Sequence, residues 1–182
     1  MRSEPVFDFS EITPEIYLGT NMCCQMHFDE QLLKKGITVD ISLEGERIDA
    51  PFGVEGYHWF PVRDGYAPTP RQLSVAVGLM RALVDLQYRL YIHCKNGHGR
   101  APTLLAAYFI SQGMSVNQAI AAIARKRPTI HLNARQKNAL IAFSQQRNVA
   151  APVGVEEPTI GQVLSRVAKI GSQVRSIVPW GF

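Results

Sequence analysis

The chain reads as an α/β protein: a central, mostly parallel sheet of four to five strands flanked by helices, with an amphipathic helix added at the C-terminus. Three observations predict this. Short β-branched and aromatic runs alternate with segments of helical period, the pattern of a parallel sheet covered on both faces. The 182 residues are 46% apolar and 19% charged, ample for one buried core and too weakly charged for a disordered chain. Finally, the strand-like Leu90-Tyr91-Ile92 runs into His93-Cys94, two nearby glycines and a helix-forming run, a strand–loop–helix unit.

In chain order, Ile12 to Gly19 carries Ile16, Tyr17 and Leu18 behind Pro14 and is expected as one short strand. Phe28 to Lys35 predicts a short helix stopped by Gly36, and Ile37 to Leu43 a buried strand. The polar stretch Glu44 to Glu55, with Pro51 and Gly53, is a loop; Tyr57 to Val62 is the next strand. Leu73, Val77, Met80, Leu83 and Val84 recur at helical spacing from Pro70 to Gln87, and Thr69-Pro70 suits the start. After the strand–loop–helix unit, Ser115 caps a helix over Val116 to Lys126, and Asn133 another that runs to about Arg147.

Residues 1–149 therefore form the main domain. Residues 150–158, with two prolines, a glycine and Glu156-Glu157, are a linker. Residues 159–182 are the amphipathic tail: Ile160, Val163, Leu164, Val167, Ile170, Val174 and Ile177 recur every three or four positions, with Arg166, Lys169 and Arg175 off the stripe. Docking on the domain's own core, on a partner or on a membrane surface all fit that pattern.

The net charge of +4 suits an anionic substrate and serves solubility equally well. No interleaved basic and aromatic pattern argues for nucleic acid. Three cysteines, two of them adjacent at 23 and 24, do not resemble a disulfide framework. With Glu4, Pro5 and Asp8 in a start unlike a signal peptide, they lead us to expect a reducing, cytoplasmic setting.

The chemistry centres on Cys94-Lys95-Asn96-Gly97-His98-Gly99-Arg100. A strand ending at a thiol, followed by a helix beginning at an arginine, lets the intervening backbone N–H groups curl inward as an anion nest. Cationic neighbours and a helix N-terminus favour the thiolate. Gly97 and Gly99 are expected to supply positive φ and close backbone approach. Arg100 has the planar fork that holds two phosphoryl oxygens at once. Hydrolysis of a phosphate ester also needs a proton donor outside the loop. Asp64, in Pro61-Val62-Arg63-Asp64-Gly65 at the end of the preceding strand, is the best candidate. Lys126, Arg127 and Arg135 fit a solvated face or a basic rim near the site.

His93-Cys94-x5-Arg100, with Asp64 thirty residues upstream, resembles the cysteine-dependent protein tyrosine phosphatase superfamily, and its spacing the dual-specificity branch. Cys94-x-x-Gly97-x-Gly99-Arg100-Ala101-Pro102, Asp64-Gly65 and Asn133-x-x-Gln136 are similar to the phosphatases of regenerating liver. The resemblance spans roughly residues 10–148. It implies Cys94 as nucleophile, Arg100 as phosphate clamp and Asp64 as general acid. His93 would orient the thiolate, Gln136 would position the hydrolytic water, and Lys95 to Arg100 would form the phosphate-binding loop. No metal or other cofactor is implied.

The implied activity is that of a dual-specificity protein phosphatase, with phosphorylated proteins as partners. Lys95, His98 and the basic tail motivate a second reading, a lipid or inositol phosphate phosphatase. The family usually has Ser or Thr directly after the arginine; Ala101 there predicts slow release of phosphate from Cys94, and motivates a third reading, a phospho-partner binding module. Cys23 or Cys24 would form a redox pair with Cys94 if the fold brings them together.

Overall fold

The alternating runs resolve into five strands and five α-helices in the computed structural model, which describes residues 7–24 and 27–149. The expected single strand from Ile12 to Gly19 is instead a hairpin of β1 (Phe9–Thr13) and β2 (Ile16–Thr20), paired antiparallel. Pro14 has no N–H for a ladder, and the Thr13 hydroxyl accepts from Ile16 N–H at 3.1 Å, which closes the turn. A 3-10 turn at Asn21–Cys23 follows. Asp29 then caps the short α1 (Glu30–Lys34) by accepting from Gln31 N–H.

β3 (Ile37–Glu44), β4 (Gly56–Val62) and β5 (Arg89–Cys94) complete the sheet in the order β1-β2-β5-β3-β4, with every pairing after the hairpin parallel. The remaining helices are α2 (Pro70–Asp85), α3 (Arg100–Ser111), α4 (Val116–Lys126) and α5 (Ala134–Val149). Thr69 and Ser115 cap α2 and α4 as expected, each in a capping box with a glutamine three residues on.

The pleat of β5 divides the interior. Leu90, Ile92 and Cys94 belong to the large core that α2 to α5 build on one face. Tyr91 belongs to a smaller cluster on the other, with Tyr17, Cys23, Cys24, Phe28 and Leu32. α3 is buried along its whole length, as its apolar composition requires. Leu90, Ile92, Leu104 and Leu105 are each 0–1% exposed. At about 1.5–3 kcal/mol per fully buried side chain, they tie the strand and helix that bracket the catalytic loop into the core.

The carboxyl ends of β3, β4 and β5 lead within two residues to Glu46, Asp64 and Cys94, the edge at which parallel sheets hold their ligands. Among the described residues, no helix is long and apolar enough to cross a membrane. The linker 150–158 and the amphipathic segment 159–182 lie outside the described residues.

Candidate active site

Cys94 ends β5 and is 3% exposed, and Arg100 opens α3 at 2%. Both line one cleft of about 550 Å³ together with Asp64, Gly65, Lys95, Asn96, His98, Gly99, His131, Asn133 and Gln136. A larger hollow of about 1000 Å³, lined by Met114, Val116, Ile120 and Ile141, shares no residue with it and holds no comparable chemistry.

The loop between Cys94 and Arg100 is shaped by contacts that forbid bulk. Gly97 has φ +66°, and a Cβ there would lie 2.5 Å from the Gly19 carbonyl oxygen. Gly99 differs from the expectation: its φ of −128° is ordinary, and its need is space, since a Cβ would lie 2.8 Å from Gln136 Nε2. Arg127 sits behind the loop at 2% exposure, so it is no part of a basic rim. Its guanidinium donates to the carbonyls of Gly97 (3.3 Å) and Asn96 (3.5 Å) and to Ser10 Oγ (3.4 Å), and pairs with Asp8 at 2.8 Å. With those carbonyls drawn backward, the loop's N–H groups are left for an anion.

Arg100 is held in place before any substrate arrives. Its Nη1 donates to Glu46 Oε2 at 2.6 Å and to the Val62 carbonyl at 2.7 Å, and Nη2 lies 3.5 Å from Asp64 Oδ1. Burial opposes the guanidinium charge, but the nearby Cys94, Glu46 and Asp64 outweigh it and raise its pKa. Glu46 also accepts from Asp64 N–H at 2.9 Å through Oε1. Desolvation works against its charge, yet the bonds from Arg100 and the Asp64 backbone hold its carboxyl below the usual range. In the sequence Glu46 reads as one charge in a polar loop. The available signal was an acidic residue two positions past the end of a parallel strand.

Asp64 lines the cleft with its side chain 66% exposed. Its loop is fastened to α5 by Asn133, whose Nδ2 donates to the Gly65 carbonyl at 2.9 Å, and by Gln136, whose Nε2 donates to the Tyr66 carbonyl at 3.2 Å. Asn133 and Gln136 also exchange bonds as the capping box of α5. Gln136 is 3% exposed against Gly99, which places its amide beside the phosphate loop. Arg63 and Arg135 both stack on the Tyr66 ring, at 5.4 and 4.5 Å.

Lys95, Asn96 and His98 form the rim. The His98 ring lies 5.0 Å from that of His131, and burial, then His131 and Arg127, lower its pKa, so at neutral pH it adds little charge. Ala101 is fully buried, and the Thr103 hydroxyl donates to the Gly99 carbonyl at 2.7 Å, a bond within its own helix. His93 is fully buried, and its Nε2 faces Asp40 at 3.2 Å and Cys24 Sγ at 3.4 Å on the face away from the cleft. Cys94 is the free cysteine, while Cys23 and Cys24 are bonded to each other within the opposite cluster.

The family model "Dual specificity phosphatase, catalytic domain" matches residues 16–146. The chain belongs to that family. It is 35% identical over 80 residues to the human "Phosphatidylglycerophosphatase and protein-tyrosine phosphatase 1", covering 43% of this chain and 40% of that protein. It is 36% identical over 110 residues to the mouse "Protein tyrosine phosphatase type IVA 2", covering 55% and 63%. The chain thus spans less than two thirds of either relative. The crystal structure of human DUSP28 superposes with a TM-score of 0.68 at 21% identity, covering 78% of this chain and 99% of that one, a likeness of fold.

Proposed function

We propose that the protein hydrolyses phosphate monoesters through a phosphocysteine, acting as a dual-specificity protein phosphatase on phosphotyrosine and phosphoserine or phosphothreonine. The observation that carries this reading is the single cleft in which Cys94 and Arg100 frame the anion loop while Asp64 lies 3.5 Å from the Arg100 guanidinium. Cys94 thiolate attacks phosphorus; the S–P bond forms as the P–O bond breaks, and Asp64 gives its proton to the departing oxygen. Loop N–H groups and the Arg100 fork hold the three remaining oxygens, where charge builds. Asp64, now a carboxylate, takes a proton from the water that attacks phosphorus, and the S–P bond breaks to return the thiolate. Gln136 lies beside Gly99, but its amide is bonded to Asn133 N–H and the Tyr66 carbonyl, so orienting that water requires one of those bonds to open.

Ala101 offers no hydroxyl to the departing sulfur, and Thr103 has committed its own to Gly99. The second step is therefore the slow one. A working thiolate needs a reducing compartment, which supports a cytoplasmic location. A second reading, a lipid or inositol phosphate phosphatase, is favoured by Lys95 at the cleft rim and by the similarity to a phosphatidylglycerophosphatase.

The test is substrate trapping with Asp64→Ala alongside Cys94→Ser, each offered phosphopeptides and phosphoinositides. Cys94→Ser is expected to lose turnover by about 10⁴-fold or more. Asp64→Ala should keep binding while leaving-group departure slows. Full hydrolysis by Cys94→Ser would refute the mechanism, and trapping of phosphoinositides alone would move the substrate to the second reading.

A further inference from the structure

On the face of the sheet away from the cleft, the turn after β2 joins β3 and β5 in burying a second group of reactive side chains. Cys23 and Cys24 offer sulfur, Asp40 a carboxylate oxygen and His93 an imidazole nitrogen. These four atoms lie within 4.8 Å of one another, and all four residues are buried. His93 Nε2 is 3.4 Å from Cys24 Sγ and 3.2 Å from Asp40 Oδ1. Around a tetrahedral zinc ion with bonds of about 2.0–2.3 Å, neighbouring donors stand roughly 3.3–3.8 Å apart. The two distances from His93 Nε2 are close to that spacing, while the two sulfurs, bonded to each other, must separate to reach it.

The charges lead to the same place. Asp40, Asp49 and Glu44 are all buried here, while Arg47 pairs with Asp49 at 2.9 Å and lies 3.6 Å from Glu44. Asp49 Oδ2, 3.8 Å from His93 Nε2, stands just outside the four donors. Both oxygens of Asp40 and Nδ1 of His93 are buried without a hydrogen-bond partner. A carboxylate held so far from water calls for cations or donors; His93, 3.2 Å from Oδ1, answers with a charge only when protonated, and Oδ2 has no donor. A divalent cation at the centre of the four groups answers that need.

We propose that Cys23 and Cys24 in their reduced form, with His93 and Asp40, bind one thiophilic divalent cation of the zinc class. Two thiolates, an imidazole and a carboxylate make an N/S/O set that suits tetrahedral zinc, and four protein ligands with no open position make a structural site rather than a catalytic one. The structure has the two sulfurs bonded to each other. Loading therefore follows reduction: two equivalents of a thiol reductant supply two electrons and two protons, become a disulfide themselves, and leave Cys23 and Cys24 as thiols. Those thiols release their protons as the metal–sulfur bonds form. His93 immediately precedes Cys94, so the metal fixes the residue from which the catalytic loop departs, on the face opposite the loop.

The full chain, reduced with a phosphine and stripped with a chelator, is titrated with Co²⁺ and then Zn²⁺. The expected result is one Co²⁺ per chain with a cobalt–thiolate charge-transfer band, its displacement by Zn²⁺, and a higher melting temperature in Zn²⁺. Cys24→Ser and Asp40→Asn should each weaken binding by about tenfold or more, while Cys94→Ser binds as wild type. If the Cys24→Ser chain does not fold, the oxidised wild-type protein takes its place: it should bind no cobalt until reductant is added. Reduced protein that takes up no metal overturns the proposal. So does cobalt–thiolate binding that is lost in Cys94→Ser but kept in Cys24→Ser.

Discussion

Compared across the sheet, the end of β5 carries two surroundings of opposite character one residue apart. Cys94 faces an open cleft whose loop amides, Arg100 and Lys95 welcome an anion. His93 faces a closed pocket where Asp40, Asp49 and Glu44 gather around it. The pleat alone makes the separation, since successive side chains of a strand leave on opposite faces. A single strand thereby delivers a residue to an anion site and its neighbour to a cation-seeking one. Their burial differs less than their freedom: the cleft side must admit substrate, whereas the other side need only hold.

The comparison predicts that substitutions on the cleft side change turnover and those on the far side change stability. After loss of Cys94 itself, Arg100→Lys gives the largest effect, a loss of about 10²–10³ in kcat/KM on an aryl phosphate, because a point charge cannot hold two oxygens. Loss of inhibition by inorganic phosphate should accompany it. Ala101→Ser runs the other way. One hydrogen bond to the departing thiolate is worth about 1.5 kcal/mol or more, hence roughly tenfold faster phosphocysteine hydrolysis, seen as a vanishing burst in rapid-quench kinetics.

Glu46→Gln should lower kcat/KM about tenfold by loosening the grip on Arg100. Its pH dependence separates it from a merely structural change. The folded carboxyl of Glu46 titrates below its ordinary range, so its bond to Arg100 is complete above that range and is lost as pH falls through the lowered value. Glu46→Gln should remove that acid limb from the rate profile. The smallest effect belongs to the far side. Tyr91→Phe deletes the buried bond to the Thr20 carbonyl at 2.9 Å. It should cost about 1 kcal/mol in a denaturation midpoint while leaving kcat unchanged. A fall in kcat with no loss of stability would break the division between the faces.

Legibility in the sequence followed the range of the interactions. Thr69 and Ser115 announce their helices because a cap is read within four residues, and the loop from Cys94 to Arg100 is equally local. The hairpin reads as one strand because only Thr13-Pro14-Glu15 separates Ile12 from Ile16, too short a break to announce a turn. Glu46 and Arg127 were missed or misplaced for a different reason. Their partners lie 54 and 117 positions away, and nothing in a charged residue's neighbours says that it will be buried against them. Of the two roles expected of Gly99, positive φ and close approach, only the second is met, as room for Gln136, a demand made from another helix.

Arg127 has a further consequence. It binds the loop carbonyls at Asn96 and Gly97 and reaches Ser10 and Asp8 near the other end of the domain. The cradle of the sulfur at position 94 therefore rests on contacts drawn from both ends of the domain and not on the loop's own sequence. A domain opened from either end keeps its cysteine but lacks the shaped amides that make it a reagent for phosphate, so competence is a property of the finished domain alone.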